Sequence, residues 1–162
     1  MWNVIYVGSR KEKKVAQLLE RDGVTYFLPL IKTKRQWSDR VKLVEVPLFN
    51  SYVFVQSDLM TRDKILQTPG VVKFLKYNSQ DAQVPDEVIS SLQKALAKGY
   101  TFINAEEVTA EAGQSVSIVA GPFKGFSGTV LSHSKSNYVL INLEVIDKQI
   151  CVKIEKNYLK DV

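Results

Sequence analysis

The chain has 162 residues, of which 45% are apolar and 24% charged, a composition typical of one medium globular domain or two small ones. No apolar run reaches the roughly 20 residues that a membrane-spanning helix needs, and the N-terminus lacks the pattern of a signal peptide, so we expect a cytoplasmic protein. The single cysteine, Cys151, and the single histidine, His133, exclude a disulfide and a Cys/His zinc site within one chain.

The net charge of +5 is spread unevenly along the chain. Residues 1–98 hold sixteen Lys and Arg against ten Asp and Glu, whereas residues 99–162 hold six against seven. This asymmetry indicates two domains with different partners. The first has the positive charge that attracts a polyanion.

The hydrophobic periodicity of the first half predicts the order β-α-β-β-β-α-β-α, an α+β sandwich with an antiparallel sheet. In chain order, the predicted elements are Trp2–Val7, Ser9–Gly23, Thr25–Lys34, Val41–Val46, Tyr52–Gln56, Met60–Thr68, Val71–Tyr77 and a helix between Pro85 and Gly99. In the first helix, Ser9 and Glu12 have the spacing of a capping box, in which each side chain satisfies a backbone N–H at the helix start.

In two of these strands, aliphatic and aromatic side chains lie on opposite faces. Because successive side chains of a strand point to opposite faces, Val53 and Val55 share one face, while Tyr52 and Phe54 share the other. The first strand repeats this division and puts Tyr6 on the aromatic side. Tyrosine buries apolar area while keeping a polar tip, so the pattern predicts a face that docks a protein or a nucleic acid. The alternative is that the rings fill a second layer of core.

The predicted hairpin between residues 25 and 46 is strongly basic. Its polar tip, Arg35–Arg40, carries a tryptophan, and Asp39 alone opposes five cations between residues 32 and 42. A solvated hairpin usually carries both positive and negative charges, so the excess of positive charge distinguishes this segment.

The second half of the chain has a different hydrophobic pattern. Tyr100–Glu111 has no steady period and is the predicted linker, and the short runs of β-branched residues after it predict four or five strands in a small barrel rather than helices. The segment Gly113–Val130 resembles a KOW motif, in which a strand turns through a glycine-rich loop into the next strand of an SH3-like barrel. In that loop, Gly121 and Gly125 permit positive φ, and Gly128 permits a close backbone approach.

The segments of the first half with the most distinctive order and spacing are Trp2–Tyr6, the capped helix, the basic hairpin, Pro47–Val55 and Pro69–Phe74. In these the chain resembles the N-terminal domain of NusG-type transcription elongation factors. Together with the KOW motif, the resemblance implies an N-terminal domain at 1–99, a linker at 100–111 and a barrel at 112–162. The hairpin, followed by Glu45–Phe49, resembles most the specialised paralogues of the UpxY kind, antiterminators of capsular polysaccharide operons in Bacteroides-like bacteria.

The resemblance implies that the first domain docks an aromatic-lined cavity on the clamp helices of RNA polymerase and disfavours the paused state, a population shift toward the elongating conformation. The matching docking residues are Tyr6, Phe49, Tyr52, Phe54 and Phe74. Where the family often has Pro-Gly before the central tyrosine, this chain has Asn50 and Ser51, which also favour turns. We therefore expect the backbone to keep its bend before Tyr52.

The resemblance also implies partners for the hairpin and the barrel. The hairpin would contact phosphates and an unpaired base of the exposed non-template DNA strand through Lys32, Lys34, Arg35, Trp37, Arg40 and Lys42. The alternative is a solubilising hairpin whose tryptophan folds back on the domain. In this family the barrel commonly binds ribosomal protein S10 or the termination factor Rho through a loop, whose matching residues are Phe123 and Lys124. Phe126 is expected in the core.

Two other functions fit less well. A KOW-containing RNA-binding protein of the ribosome or its assembly path would have a basic barrel, and this barrel is slightly acidic. An enzyme would need a base beside a nucleophile or paired carboxylates, whereas His133 stands in a Ser-rich turn typical of a solvated loop. We expect Cys151 in the core, no catalytic residue, cofactor or metal, no membrane partner, and a monomer. The sequence does not determine the target operon or the sign of the effect on termination.

Overall fold

The computed structural model of the chain describes residues 1–105, 113–133 and 136–162. These divide into two compact units, Met1–Asp86 and Glu87–Val162, and each unit is described on its own. Within the described residues, no helix combines the length and the apolar composition that crossing a membrane requires.

The first unit contains two helices, α1 (Glu12–Arg21) and α2 (Leu59–Leu66). Its strands are β1 (Trp2–Val7), β2 (Tyr26–Phe27), β3 (Leu30–Gln36), β4 (Val41–Pro47), β5 (Tyr52–Val55), β6 (Val71–Phe74), β7 (Lys76–Tyr77), β8 (Gln80–Asp81) and β9 (Gln83–Val84). The central sheet is antiparallel in the order β2-β5-β1-β6, with β9 also paired to β1. Two separate hairpins, β3–β4 and β7–β8, complete the unit. The predicted strand from residue 25 to 34 is interrupted at Pro29, which has no N–H to donate to a ladder.

One face of the central sheet packs against α1 and α2. Most of the buried residues of this cluster come from β1, β5 and both helices: Ile5, Val7, Val15, Leu19, Val53, Val55 and Ile65. Val24 and Phe74 complete it. The buried positions of α1 recur at helical spacing, which is the pattern of an amphipathic surface helix. The predicted aliphatic face is therefore confirmed as the face that the helices cover.

The start of α1 differs from the prediction. Lys11, not Ser9, precedes the helix, and no side chain caps its first turn. Glu12 is buried, and its carboxylate accepts a hydrogen bond of 2.9 Å from the backbone N–H of Ser51. The predicted capping box is wrong because Glu12 satisfies a donor in a distant turn rather than one at its own helix end.

The second unit contains α3 (Asp86–Ala97), apart from its first residue, and a single antiparallel sheet. The strands found in its described part are β10 (Phe102–Ile103), β11 (Ser115–Ile118), β12 (Ser127–His133), β13 (Ser136–Leu143), β14 (Lys148–Lys153) and β15 (Leu159–Asp161). Their order is β10-β14-β13-β12-β11-β15. An α+β unit followed by a β-rich unit confirms the predicted fold class.

The boundary between the predicted domains falls differently from the division into units. The first domain was predicted to end at residue 99, but α3 groups with the second unit. The predicted linker at 100–111 contains β10, which pairs with β14, and its residues 106–111 lie outside the described ranges. Phe102 joins the sheet because its ring is buried there against Phe123, at 6.3 Å between ring centroids.

The loop between β11 and β12 has the backbone that the KOW motif predicts. Gly121 and Gly125 have φ of 83° and 94°, a region that L-residues rarely adopt. A Cβ at Gly128 would lie 2.6 Å from the carbonyl oxygen of Leu140, so glycine is required where β12 meets β13. The predicted roles of these glycines are confirmed.

The single cysteine and the single histidine both lie in strands. Cys151 is fully buried in β14 and packs with Leu131 and Tyr138, which confirms its predicted place in the core. His133 ends β12 opposite Ser136, so the backbone there is a strand rather than part of the predicted Ser-rich turn. Residues 134 and 135 lie outside the described ranges.

We expect Cys151 to be unreactive in the native protein. Burial raises the pKa of its thiol to about 11, so at pH 8 the group is almost entirely the neutral, non-nucleophilic thiol. With Ellman's reagent, the native protein should release less than about a tenth of an equivalent of 2-nitro-5-thiobenzoate from the reagent within minutes, and about one equivalent after unfolding in guanidinium chloride. Full reaction of the folded protein on that timescale would contradict the buried position.

Candidate docking surface and basic hairpin

Tyr6 and Tyr52 form an aromatic pair on the sheet face opposite α1 and α2. They are cross-strand neighbours in β1 and β5, with ring centroids 6.2 Å apart and ring planes at 71°, an edge-to-face arrangement. Tyr6 is 38% exposed and Tyr52 is half-buried. Rings that already hold each other in place lose little freedom on binding, and each offers an apolar body with a polar tip. The pair thus has the rigidity and the apolar area that a contact surface for a largely apolar partner needs.

Two phenylalanines of the predicted docking set lie beneath the surface. Phe49 and Phe54 are buried, with centroids 5.9 Å apart, and Phe27 stacks on Phe54 at 6.0 Å. Phe54 is enclosed because its cross-strand neighbour in β2 is another large ring. The exposed position expected for Phe54 is therefore not observed, and this part of the face is the second aromatic layer that the sequence left as an alternative.

Phe74 lies on the other side of the sheet from the tyrosines. In the register of β1 with β6, Phe74 is opposite Ile5, whereas Lys73 is opposite Tyr6, and directly opposed residues share a face. Phe74 accordingly packs in the helix-covered core, with the guanidinium carbon of Arg62 4.2 Å from its ring centroid. In the folded chain its ring is not accessible to a partner.

The turn that leads into β5 keeps its bend without Pro-Gly. Ser51 has φ of 66°, the left-handed region that glycine favours, and its carbonyl accepts a 2.8 Å hydrogen bond from the N–H of Val7. Its own N–H donates to the carboxylate of Glu12, 39 residues away in sequence. Sequence reasoning missed this role of Glu12, since nothing near either residue signals the pairing. The hydrogen bond fixes the turn beside Tyr52.

Replacing Ser51 by glycine should stabilise the protein. Glycine relieves the left-handed strain, which outweighs its greater backbone freedom in the unfolded state, and we expect the free energy of unfolding to rise by about 0.5 kcal/mol. Urea denaturation checks this. The matched control is Ser38→Gly, at an exposed residue without positive φ, which should lower stability slightly. Equal effects of the two replacements would rule out strain at Ser51.

The β3–β4 hairpin stands apart from the central sheet and carries cations on both of its faces. Arg35 lies directly opposite Lys42 on one face, whereas Lys32 and Lys34 lie on the other. Like charges in directly opposed positions destabilise a strand pair, and a bound anion removes that penalty. The hairpin therefore has an electrostatic reason to bind a polyanion.

The tip of the hairpin is tight and its tryptophan is exposed. The N–H of Trp37 donates to the carbonyl of Arg40 at 2.7 Å, and 53% of Trp37 is exposed to solvent. The predicted hairpin contacts are all exposed: Lys32, Lys34, Arg35, Trp37, Arg40 and Lys42. In the part of the chain that the structure describes, no ion pair joins any of these cations to a carboxylate. Their charges and the indole are free to meet a ligand.

The glycine-rich loop of the second unit reverses the predicted exposure of its two rings. Phe123, expected to contact a partner, is 1% exposed and packs edge-to-face on Phe126 at 5.7 Å. Phe126, expected in the core, is half-buried, and Lys124 is exposed. Phe123 turns inward because Phe102 of β10 completes its pocket. The exposed side chains of this loop include Lys124 and Val119, of which Val119 is 43% exposed.

Comparison with known proteins shows where this architecture occurs. Residues 1–93 match the family model described as "Transcription termination factor nusG". The chain is 30% identical over 147 residues to the transcription termination/antitermination protein NusG of Thermus thermophilus, which covers 80% of each protein. Its fold is similar to the structure described as "Domain interaction in Thermotoga maritima NusG", with a TM-score of 0.62 and 20% identity over 99% of this chain and 96% of that one.

These matches define the class as transcription termination and antitermination factors, which confirms the expectation that the protein is not an enzyme. The chain belongs to the NusG family. Of the contact residues predicted in the first unit, Tyr6 and the basic hairpin are exposed and Tyr52 is half-buried.

Proposed function

We propose that the first unit docks on the clamp helices of RNA polymerase and that the protein thereby suppresses pausing or termination. The observation that carries this proposal is the edge-to-face pair of Tyr6 and Tyr52, opposite the helix-covered face of the sheet. Docking affects pausing only if the factor binds the elongating conformation more tightly than the paused one. Each tenfold difference between those affinities shifts the equilibrium by about 1.4 kcal/mol.

In this proposal the β3–β4 hairpin contacts the non-template DNA strand that elongation exposes. Support comes from the exposed indole of Trp37, from cations without carboxylate partners, and from the opposed charges of Arg35 and Lys42. Phosphate contacts supply affinity without sequence preference, and stacking favours unpaired bases over a duplex.

The second unit would recruit further machinery through its glycine-rich loop. Ribosomal protein S10 or Rho are the partners that the family resemblance implies. Lys124 is the exposed residue of the loop that matches a family contact, and Phe123 supports the loop from below. The assignment to the UpxY paralogues adds that the protein serves a capsular polysaccharide operon in the cytoplasm.

The docking proposal is tested by comparing two forms of RNA polymerase, one intact and one lacking the tip of the clamp coiled coil. Losing a central aromatic contact typically costs 2 kcal/mol or more, so we expect binding of the full chain to weaken by at least roughly 30-fold with the truncated enzyme. Equal affinity for both polymerases would overturn the proposal. Binding to ribosomal subunits but to neither polymerase would favour the RNA-binding alternative.

A further inference from the structure

The sheet face that carries the tyrosine pair continues onto β6. In the register of β1 with β6, Lys73 lies directly opposite Tyr6, and Tyr6 lies directly opposite Tyr52 in β5. Directly opposed residues share a face, so Tyr52, Tyr6 and Lys73 form one row across three strands. The side chain of Lys73 is exposed. The row therefore ends in a cation that the predicted docking set did not include.

An irregularity in β6 exposes a second side chain next to this row. The register of β1 with β6 shifts between Tyr6 and Val7, and Val72 has no partner in β1. Val71 and Phe74 both pack toward the helix-covered face, which regular alternation does not allow for residues three positions apart. The extra residue leaves Val72 outside the core, and 57% of it is exposed. The shift thus places an apolar group beside the cation.

The charge of Lys73 is not neutralised within the part of the chain that the structure describes. No ion pair or side-chain hydrogen bond involves its ammonium there. Asp81, in the hairpin that follows β6, already pairs with Arg62 and Lys76. The other residues of β1, β5 and β6 are uncharged. A carboxylate that approaches this face would therefore meet an unpaired cation beside apolar groups.

The dimensions of the row suit a helix. Neighbouring strands lie about 4.8 Å apart, so the row from Tyr52 to Lys73 spans roughly 10 Å. An α-helix with its side chains is about 10–12 Å wide. A helix seated on the tyrosine pair would thus have one flank over Lys73. A nucleic-acid backbone is bound by several cations, whereas this row offers one, which favours a single carboxylate.

We propose that the helix bound by the tyrosine pair carries an Asp or Glu on the flank that faces Lys73, and that Val72 packs against the same flank. Lys73 is then a specificity determinant, because a helix with a cation at that position is repelled. The inference rests on the proposed function, since it takes the clamp helices of RNA polymerase as the partner. It adds the chemistry of one further contact.

The test measures association of the full chain with nucleic-acid-free RNA polymerase by biolayer interferometry. An exposed charge at the edge of an interface acts mainly on the association rate and its salt dependence. Lys73→Glu should therefore lower that rate at least roughly fivefold at about 50 mM salt and less than about twofold at about 500 mM. The matched control is Lys14→Glu, the same change of net charge at an exposed residue of α1. It should stay within about twofold at both salt concentrations. Equal effects of the two reversals would overturn the proposal.

Further comparisons identify what Lys73 and Val72 contact. Val72→Ser should leave the association rate unchanged and raise the dissociation rate about threefold, because it removes apolar area that is buried after encounter. An unchanged dissociation rate would overturn the packing assigned to Val72. If Lys73→Glu weakened binding only to polymerase that holds DNA, its partner would be a phosphate and the proposed carboxylate would be wrong.

The docking proposal and this inference fail separately. If the Tyr6→Ala, Tyr52→Ala protein lost polymerase binding while Lys73→Glu behaved like Lys14→Glu, the charged contact alone would be overturned. If the tyrosine variant bound as tightly as the unaltered protein, the docking proposal would fail.

Discussion

Replacing Tyr6 and Tyr52 together by alanine is expected to lower affinity for RNA polymerase by at least roughly 30-fold, the effect of losing a 2 kcal/mol contact. The two rings hold each other edge-to-face, and removing one leaves the other without its neighbour. Each single variant should therefore cause more than half of the double variant's loss in free energy of binding. Biolayer interferometry with immobilised polymerase measures these affinities.

A control for this prediction must remove an equally exposed ring elsewhere. Tyr77 is 38% exposed, the same fraction as Tyr6, but it lies in the β7–β8 hairpin rather than on the central sheet. Tyr77→Ala should bind polymerase within twofold of the unaltered protein. If it weakened binding as much as the Tyr6 variant, the loss would reflect general surface change rather than the docking face.

Glu12→Ala is expected to lower the free energy of unfolding of the protein by about 1.5–3 kcal/mol. The carboxylate is buried and accepts a hydrogen bond from Ser51, and losing a charged acceptor leaves that N–H unsatisfied. The turn before Tyr52 should loosen as well, so polymerase affinity should fall even where the variant remains folded. Urea denaturation measures the stability change.

Glu12→Gln separates the hydrogen bond from the space that the side chain fills. Glutamine keeps an acceptor oxygen at the same distance along the side chain, so this variant should lose less than half as much stability as Glu12→Ala. A stability of Glu12→Ala within 0.5 kcal/mol of the unaltered protein would show that the carboxylate does not hold the turn.

Local alternation was enough to predict the two faces of the central sheet. Val53 and Val55 lie in the helix-covered core, and Tyr6 and Tyr52 meet on the opposite face. Alternation fixes which face a side chain takes, because the period of a strand is two. It does not determine what covers that face, which is why the sequence left both an exposed and a buried position open for Phe54.

Other differences arise from pairings between distant parts of the chain. The face of the sheet on which Phe74 lies depends on the register of β6 against β1. A shift of that register by one residue would move Phe74 to the opposite face. Glu12 has the local spacing of a capping residue but bonds to Ser51, so a tertiary contact overrides a local motif. The hairpin cations were predicted as one group, and only the strand register divides them between two faces.

Pause lifetime on a template with one defined pause site tests the docking claim most directly. The unaltered protein and Tyr77→Ala should change the lifetime of the paused RNA polymerase to the same extent, whereas the Tyr6→Ala, Tyr52→Ala protein should leave it as it is without any factor. A double variant that still acts like the unaltered protein would contradict the account, since the tyrosine pair would then not be the surface that polymerase binds.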